Sequence, residues 1–374
     1  MVTSSPALSS LLSRRLDLRA LLLEGRAFLA LLTIVVVFSV LSPNYLTVDN
    51  VLQMSQHVAV FAILSVGMLA VILNGGIDLS VGSTLGLSGV VAGYLMQGVH
   101  IPALDLTLYP SVPAVVIITL VTGALIGVVN GVLVARFNVA PFVATLGMLY
   151  ALRGIALLIT DGLTYSNLQG REDLGNTGFS WLGFNSLFGV PVGVWVMIVV
   201  AGAGWFLLSR TAFGRWLYAS GGNERAAELS GIPIRTVKIR AYVISAVCAS
   251  IAGMITASEL TSASPNAGNM FELTAIAAVV IGGAALTGGR GTIRGTMLGA
   301  FVIGFLSDGL VIVGVSEYWQ TVFTGAVIIL AVLLNAVQYR PRRKQQDASG
   351  ASEHGPSESG PTPTKERNTD VSAS

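Results

Sequence analysis

Apolar runs of about 20 residues recur along most of this chain, and each is long enough to cross the roughly 30 Å hydrocarbon core of a bilayer as a helix. Ten such segments stand out: 26–43, 51–74, 79–97, 111–135, 141–160, 190–209, 237–259, 271–287, 293–314 and 318–338. A soluble fold could not hide that much apolar surface, because its exterior must stay largely wettable. Composition agrees: 53% of the residues are hydrophobic, 11% are charged, and mean hydropathy is +0.75. An ordinary soluble domain is about 25% charged. These figures exclude a soluble enzyme, a disordered chain and a nucleic-acid-binding module. The expectation is an all-α polytopic membrane protein with about ten transmembrane helices. Two of its spacers are rich in glycine, Asn74-Gly75-Gly76-Ile77-Asp78 and Thr287-Gly288-Gly289-Arg290-Gly291. Either is a loop or a re-entrant feature.

Orientation follows from Lys and Arg, which concentrate on the cytoplasmic side of membrane proteins. With the N-terminus inside, 19 of the 21 basic residues fall in cytoplasmic segments, including Arg14, Arg136, the group Arg210–Arg240, Arg290, Arg294 and the stretch after Arg340. The exceptions are Arg153, within a span, and Arg171, in an outer loop. An even number of spans returns the C-terminus inside. Residues 1–25 then form a cytoplasmic N-terminal segment, with Leu and Arg alternating over 8–23 in the manner of an interfacial helix. A membrane domain covers 26–340 and includes a cytoplasmic loop at 210–236. The Ser-, Pro-, Glu- and Thr-rich stretch 341–374 reads as a disordered cytoplasmic tail. Basic residues ahead of the first apolar run imitate a signal sequence, but no small-x-small site follows, so that run reads as an uncleaved span.

Lipid gives helices no hydrophobic reason to associate, so small residues must bring them together. Gly123, Gly127 and Gly131 form one such ladder; Gly82, Gly86, Gly89 and Gly93 form another. Gly75-Gly76, Gly82 and Gly86 also recur 213 positions later as Gly288-Gly289, Gly295 and Gly299. Ionisable groups inside a membrane are costly and usually face the bundle interior or a water-filled path. Asp78, Arg153, Glu272 and Asp308 are the candidates for such a path, with Asn74 and Asn130 as neutral companions. Arg153 and Asp308 fall at similar depth, which suggests that they pair or flank one hydrophilic route.

Several chemistries have no carrier here. A P-loop needs a lysine after its second glycine. Lys238, Lys344 and Lys365 each follow another residue, so the chain supplies no such ATPase site. There is no His-Glu-x-x-His and no Gly-x-Ser-x-Gly. His57, His100 and His354 lack metal-site spacing, and Cys248, the sole cysteine, sits in an apolar run. No metal, cofactor or enzymatic activity is expected.

The longest basic loop contains Gly221-Gly222-Asn223-Glu224-Arg225-Ala226-Ala227-Glu228-Leu229-Ser230-Gly231. Asn223 is a good N-cap, and Glu224 complements the helix dipole. Gly231 and Pro233 end the element. The expected helix of about two turns offers Ala226, Ala227 and Leu229 as a compact surface. Alone in water it is marginal, so it must dock on its own bundle or on another protein.

This segment resembles the cytoplasmic coupling segment of permeases of the ribose/xylose-type ABC importers. The resemblance extends to Asn74-Gly-Gly-Ile-Asp-Leu-Ser-Val-Gly-Ser83, Ala140-Pro-Phe-Val-Ala-Thr-Leu-Gly-Met148, Pro265-Asn-Ala-Gly268, Ala275-Ile-Ala-Ala-Val-Val-Ile-Gly-Gly283 and Gly288-Gly-Arg-Gly-Thr-Ile-Arg-Gly295, and it covers about residues 28–336. It implies a transmembrane subunit of the bacterial cytoplasmic membrane that forms the path for a monosaccharide. A separate ATP-binding cassette subunit would dock on Gly222, Asn223, Glu224, Ala226, Ala227, Ser230 and Gly231. A second permease copy and an extracytoplasmic sugar-binding protein would complete the assembly. Asp308 occupies a place where an amide is more usual in the family, so the resemblance does not carry substrate identity. An ion-driven secondary transporter, with Asp78, Glu272 and Asp308 as ion carriers, is the rival reading.

Overall fold

The computed structural model describes residues 25–338. The N-terminal interfacial helix expected at 8–23 and the tail expected from 341 lie outside the described residues.

Every predicted apolar segment contains a helix. They are α1 (Arg26–Leu41), α2 (Val48–Leu73), α3 (Val81–Gln97), α4 (Val112–Ala135), α5 (Pro141–Thr160), α7 (Val192–Arg210), α10 (Ile234–Glu259), α11 (Phe271–Ile281), α12 (Ile293–Ile312) and α13 (Glu317–Gln338). Among the described residues, α2, α4, α5, α7, α10 and α12 are both long and apolar enough to cross a membrane. Three short helices fill two connections: α6 (Trp181–Phe184) lies between α5 and α7, and α8 (Ala212–Gly222) and α9 (Glu224–Leu229) lie between α7 and α10.

The bundle is organised around α2 and α10. A helix that is apolar on all sides belongs in an interior, and α2 is buried from Val58 to Leu73 except at Phe61. The glycine ladder of α4 packs on α10. A Cβ at Gly127 would lie 2.5 Å from the Val243 Cα, and one at Gly131 would lie 2.6 Å from the Ile239 Cα. Side chains there would push the two backbones apart and forfeit the dispersion contact that holds helices together in lipid. Elsewhere α4 turns Ile117, Val121 and Leu125 outward, as a lipid-facing helix does.

Three small antiparallel ribbons gather where α3, α5 and α10 end. β1 (Val99–Ile101) pairs with β2 (Leu106–Leu108), β3 (Tyr165–Ser166) with β6 (Ser262–Ala263), and β4 (Ser186–Leu187) with β5 (Val190–Pro191). Arg171, one of the two basic exceptions, lies at this end in an exposed 2.6 Å ion pair with Asp173. The bond holds the Asp173 carboxyl below its ordinary range.

The expected helix 271–287 is corrected by the structure. α11 stops at Ile281, where Gly282 caps it and Gly283 adopts φ +91°. Its 11 residues span about 16 Å at 1.5 Å per residue, roughly half of a hydrocarbon core. The irregular stretch ahead of α11 lies in a groove on α3. A Cβ at Gly82 would strike the Gly268 carbonyl, and one at Gly86 would sit 2.7 Å from the Ala267 carbonyl. The glycines of α3 thus admit another segment's backbone.

Candidate functional site

Three groups of polar residues are held by the bundle, and five of the six pathway candidates distribute among them; Asn74 lies apart, at the junction ahead of α9.

The first lies in the break between α2 and α3. Asp78 is fully buried. Its carboxylate accepts from the Ser80 N–H at 3.0 Å, the Ser80 hydroxyl at 2.6 Å and the Ser245 hydroxyl at 2.9 Å. Asn130, also fully buried, donates to the Ser80 hydroxyl at 2.9 Å. The Thr145 hydroxyl donates to the Ile77 carbonyl at 3.1 Å. A chain reversal inside a bundle exposes backbone groups that helical hydrogen bonds no longer satisfy, and these side chains satisfy them. Asp78 and Asn130 therefore brace the turn of α2 into α3.

The second holds the approach to α11. Arg153 on α5 donates to the Pro265 and Ala267 carbonyls. Glu272, in the first turn of α11, is buried beside Gly82. The expected pairing of Arg153 with Asp308 is overturned: Arg153 is occupied by carbonyls of the 265–267 stretch, whereas Asp308 contacts His57. Similar depth along two helices did not bring them to the same face of the bundle.

The third group lines a cavity of about 300 Å³ near the end of α10, bounded by His57, Phe61, Thr256, Glu259, Phe271, Ser307 and Asp308. His57 Nδ1 lies 3.2 Å from Asp308 Oδ1, and Nε2 lies 3.9 Å from Glu259 Oε1. The two carboxylates meet opposite edges of the ring, so the trio does not converge on one point as metal ligands do. Among the described residues no cluster has metal-binding geometry. Phe61 and Phe271 pack as a tilted pair, with centroids 4.8 Å apart and planes at 58°. His57 and Glu259 were missed as site residues because each is unremarkable in its own stretch of sequence; only the fold joins them to Asp308.

At the opposite end of α10 lies α9. Asn223 Oδ1 accepts the Ala226 N–H at 3.0 Å, as its sequence signal predicts. The far end closes through Gly231 N–H to the Glu228 carbonyl and Ile232 N–H to the Ala227 carbonyl, at 2.9 and 3.1 Å, with Gly231 at φ +83°. This is the Schellman arrangement that favours glycine. Lys238 on α10 clasps Glu224 at 2.7 Å. Ala226 and Leu229 are exposed, but Ala227 is buried against the bundle. The expected three-residue contact surface is corrected: Ala227 anchors α9, and the outward face consists of Ala226 and Leu229 with the polar residues around them.

Directly before α9 the chain enters a junction of three backbones. Gly221 at the end of α8 abuts the Leu73 carbonyl at the end of α2, and a Cβ there would lie 2.6 Å from Gly289 N. The Gly289 N–H donates to that same Leu73 carbonyl at 2.9 Å. A Cβ on Gly288 would lie 2.9 Å from Gly75 N. The two glycine-rich spacers that echo one another in sequence therefore touch. Asn74 adds a 2.7 Å hydrogen bond from its amide to the Ser220 hydroxyl. It also borders a cavity of about 220 Å³ with Glu224, Lys238 and Tyr242.

Comparison with known proteins gives this arrangement a context. Residues 50–332 match the family described as branched-chain amino acid transport system, permease component. The chain is 44% identical over 323 residues to the ribose import permease protein of Escherichia coli K12, covering 86% of this chain and 96% of that protein. It is 41% identical over 309 residues to the ribose import permease protein of Bacillus subtilis 168, covering 82% and 91%. It is 35% identical over 350 residues to the xylose transport system permease protein of E. coli K12, covering 79% and 87%. No solved structure matches the chain. Bacterial permease relatives together with six membrane-length apolar helices make this a multi-pass bacterial inner-membrane protein. The family match extends over most of the bundle, α9 and the glycine junction included, and the chain belongs to this family of transport-system permease components.

Proposed function

We propose that the chain is the transmembrane subunit of an ATP-driven importer that carries a monosaccharide, and that it receives its energy at α9 from a separate ATP-binding cassette subunit. Ten membrane segments with both termini cytoplasmic fit the basic residues near α8 and α9 and the acidic ones at the opposite end. In that orientation α9 faces the cytoplasm, and the cavity at His57 faces the extracytoplasmic side, where a sugar-binding protein delivers its load. A second permease copy completes the path, with lipid around the remaining apolar faces. Import of sugars by relatives 35–44% identical to this chain supports the substrate class.

The observation that carries the coupling assignment is the position of α9. This helix of six residues is exposed along one face, capped at both ends, and joined through Gly221 to the ends of α2 and α8 and the spacer ahead of α12. A push on α9 is transmitted to both spacers at once, because close-packed backbones have no slack to absorb it. Gly222, Asn223, Glu224, Ser230 and Gly231 shape the element; Ala226 and Leu229 make the contact.

The test is capture of tagged full-length permease from its own host in mild detergent, with partners identified by mass spectrometry. The wild type should retain an ATP-binding cassette subunit, and Leu229→Arg should lose it while the permease still elutes as a folded species. Recovery of permease alone, under conditions that preserve other complexes, would overturn the reading. Unimpaired capture and uptake by Leu229→Arg would overturn the role of α9.

A further inference from the structure

We propose that the cavity between α2, α10, α11 and α12 is a binding station for a neutral, hydroxyl-rich solute, in which His57, Glu259 and Asp308 orient hydroxyl groups against the wall formed by Phe61 and Phe271. This rests on the importer reading and adds to it the chemistry that selects the solute.

The cavity, about 300 Å³, is in the range of small-molecule sites, and it has their usual make-up: apolar walls with a few convergent polar groups. The polar groups are dominated by acceptors. An ionised carboxylate only accepts hydrogen bonds. One oxygen of Asp308 is engaged by His57, while Oδ2 is buried without a protein partner. The Glu259 side chain, 27% exposed, is the carboxylate that opens to the cavity, and a solute hydroxyl donates to it without bringing a charge. Thr256 and Ser307, which also line the cavity, are able to donate or accept. A sugar ring adds an apolar C–H face, which the aromatic pair can cover.

Charge narrows the choice further. Two carboxylates face one imidazole, so with both ionised the trio carries net negative charge. No Lys or Arg lines the cavity. An anionic sugar is repelled. A zwitterionic amino acid finds no cation for its carboxylate, even though the family as a whole is described by branched-chain amino acids. Neutral polyols meet donors and acceptors without an opposing charge.

The chain is suited to a test by cysteine modification, because Cys248 is its sole cysteine and is buried. Full-length permease carrying Ser307→Cys is reconstituted in lipid vesicles and treated with methanethiosulfonates of either charge. The cationic reagent should react about tenfold faster than the anionic one, as focused negative potential dictates, and Asp308→Asn should shrink that ratio. Millimolar D-ribose, D-xylose or myo-inositol should slow modification several-fold; D-glucuronate and L-leucine should not. Equal rates for the two reagents, protection by leucine or glucuronate in place of the neutral polyols, or protection by none of them would overturn the inference. Thr256→Cys on α10 provides the same readout from another helix of the cavity should the first variant fold poorly. Partner capture is read separately, so loss of polyol protection with capture intact falls on this inference alone.

Discussion

The backbone N–H of Gly289 donates to the carbonyl of Leu73 at 2.9 Å, and Gly221 abuts that same carbonyl. One peptide group at the end of α2 thus joins the spacer ahead of α12 to the segment that leads into α9. Such contact is available because neither Gly221 nor Gly289 carries a side chain at the meeting point.

Gly221→Ala should therefore uncouple the permease. Its methyl group would overlap the Leu73 carbonyl and crowd Gly289 N at 2.6 Å. Overpacking of this kind costs about 1–3 kcal/mol, enough to shift coupled uptake about tenfold while ATP hydrolysis by the partner continues. Gly202→Ala on α7 is the control, because a Cβ there meets nothing within 4 Å. Uptake and ATPase rates in reconstituted vesicles compare the two; equal loss in both variants would remove the junction from the mechanism.

Asp78 should prove a brace and not an ion carrier. Asp78→Ala strands the Ser80 N–H and the Ser80 and Ser245 hydroxyls in a fully buried site. Each unsatisfied group costs about 1–3 kcal/mol, so thermal stability in detergent should fall sharply. Asp78→Asn, which keeps an acceptor oxygen, should fall less. Full stability in either variant with abolished transport would return Asp78 to the pathway.

What could be read from sequence depended on the range of the interaction. The cap at Asn223 and the stop at Gly231 were legible because their partners, Ala226 N and the carbonyls of Ala227 and Glu228, lie within five residues. Apolar length located the helices. It overextended α11, because the apolar pattern runs on past Gly282 and Gly283 while the backbone turns away there to meet Gly295. The cavity at His57 was illegible. Asp308 lies 251 positions from His57, and no local pattern reports which helix faces converge. Ala227 failed for the same reason: spacing assigns it to α9, but only packing decides that it faces inward.

Charge exchange between Arg153 and Asp308 should rescue nothing. Arg153 secures the Pro265 and Ala267 carbonyls, and Asp308 lies against His57. Arg153→Asp leaves those carbonyls without their donor, and adding Asp308→Arg supplies none at that place. The doubly substituted protein should be no more stable than Arg153→Asp alone, with effects that add as distant sites do. Recovery of stability or uptake in the double variant would restore the pairing.

The cap of α9 should control coupling without touching the solute. Asn223→Ala removes the acceptor for the Ala226 N–H, a change worth about 0.5–2 kcal/mol in helix stability. A six-residue helix has little intrinsic stability to absorb that loss. Its exposed face then spends more time disordered, and the ATPase subunit must order it on docking. Partner affinity should fall several-fold, with the modification rate at Ser307→Cys unchanged because the cavity lies at the other end of α10. Asn223→Ser keeps a capping oxygen and should restore most of the affinity. Full affinity in Asn223→Ala would mean that the partner recognises the loop without needing its helical form, and the shape of α9 would then lose its role in coupling.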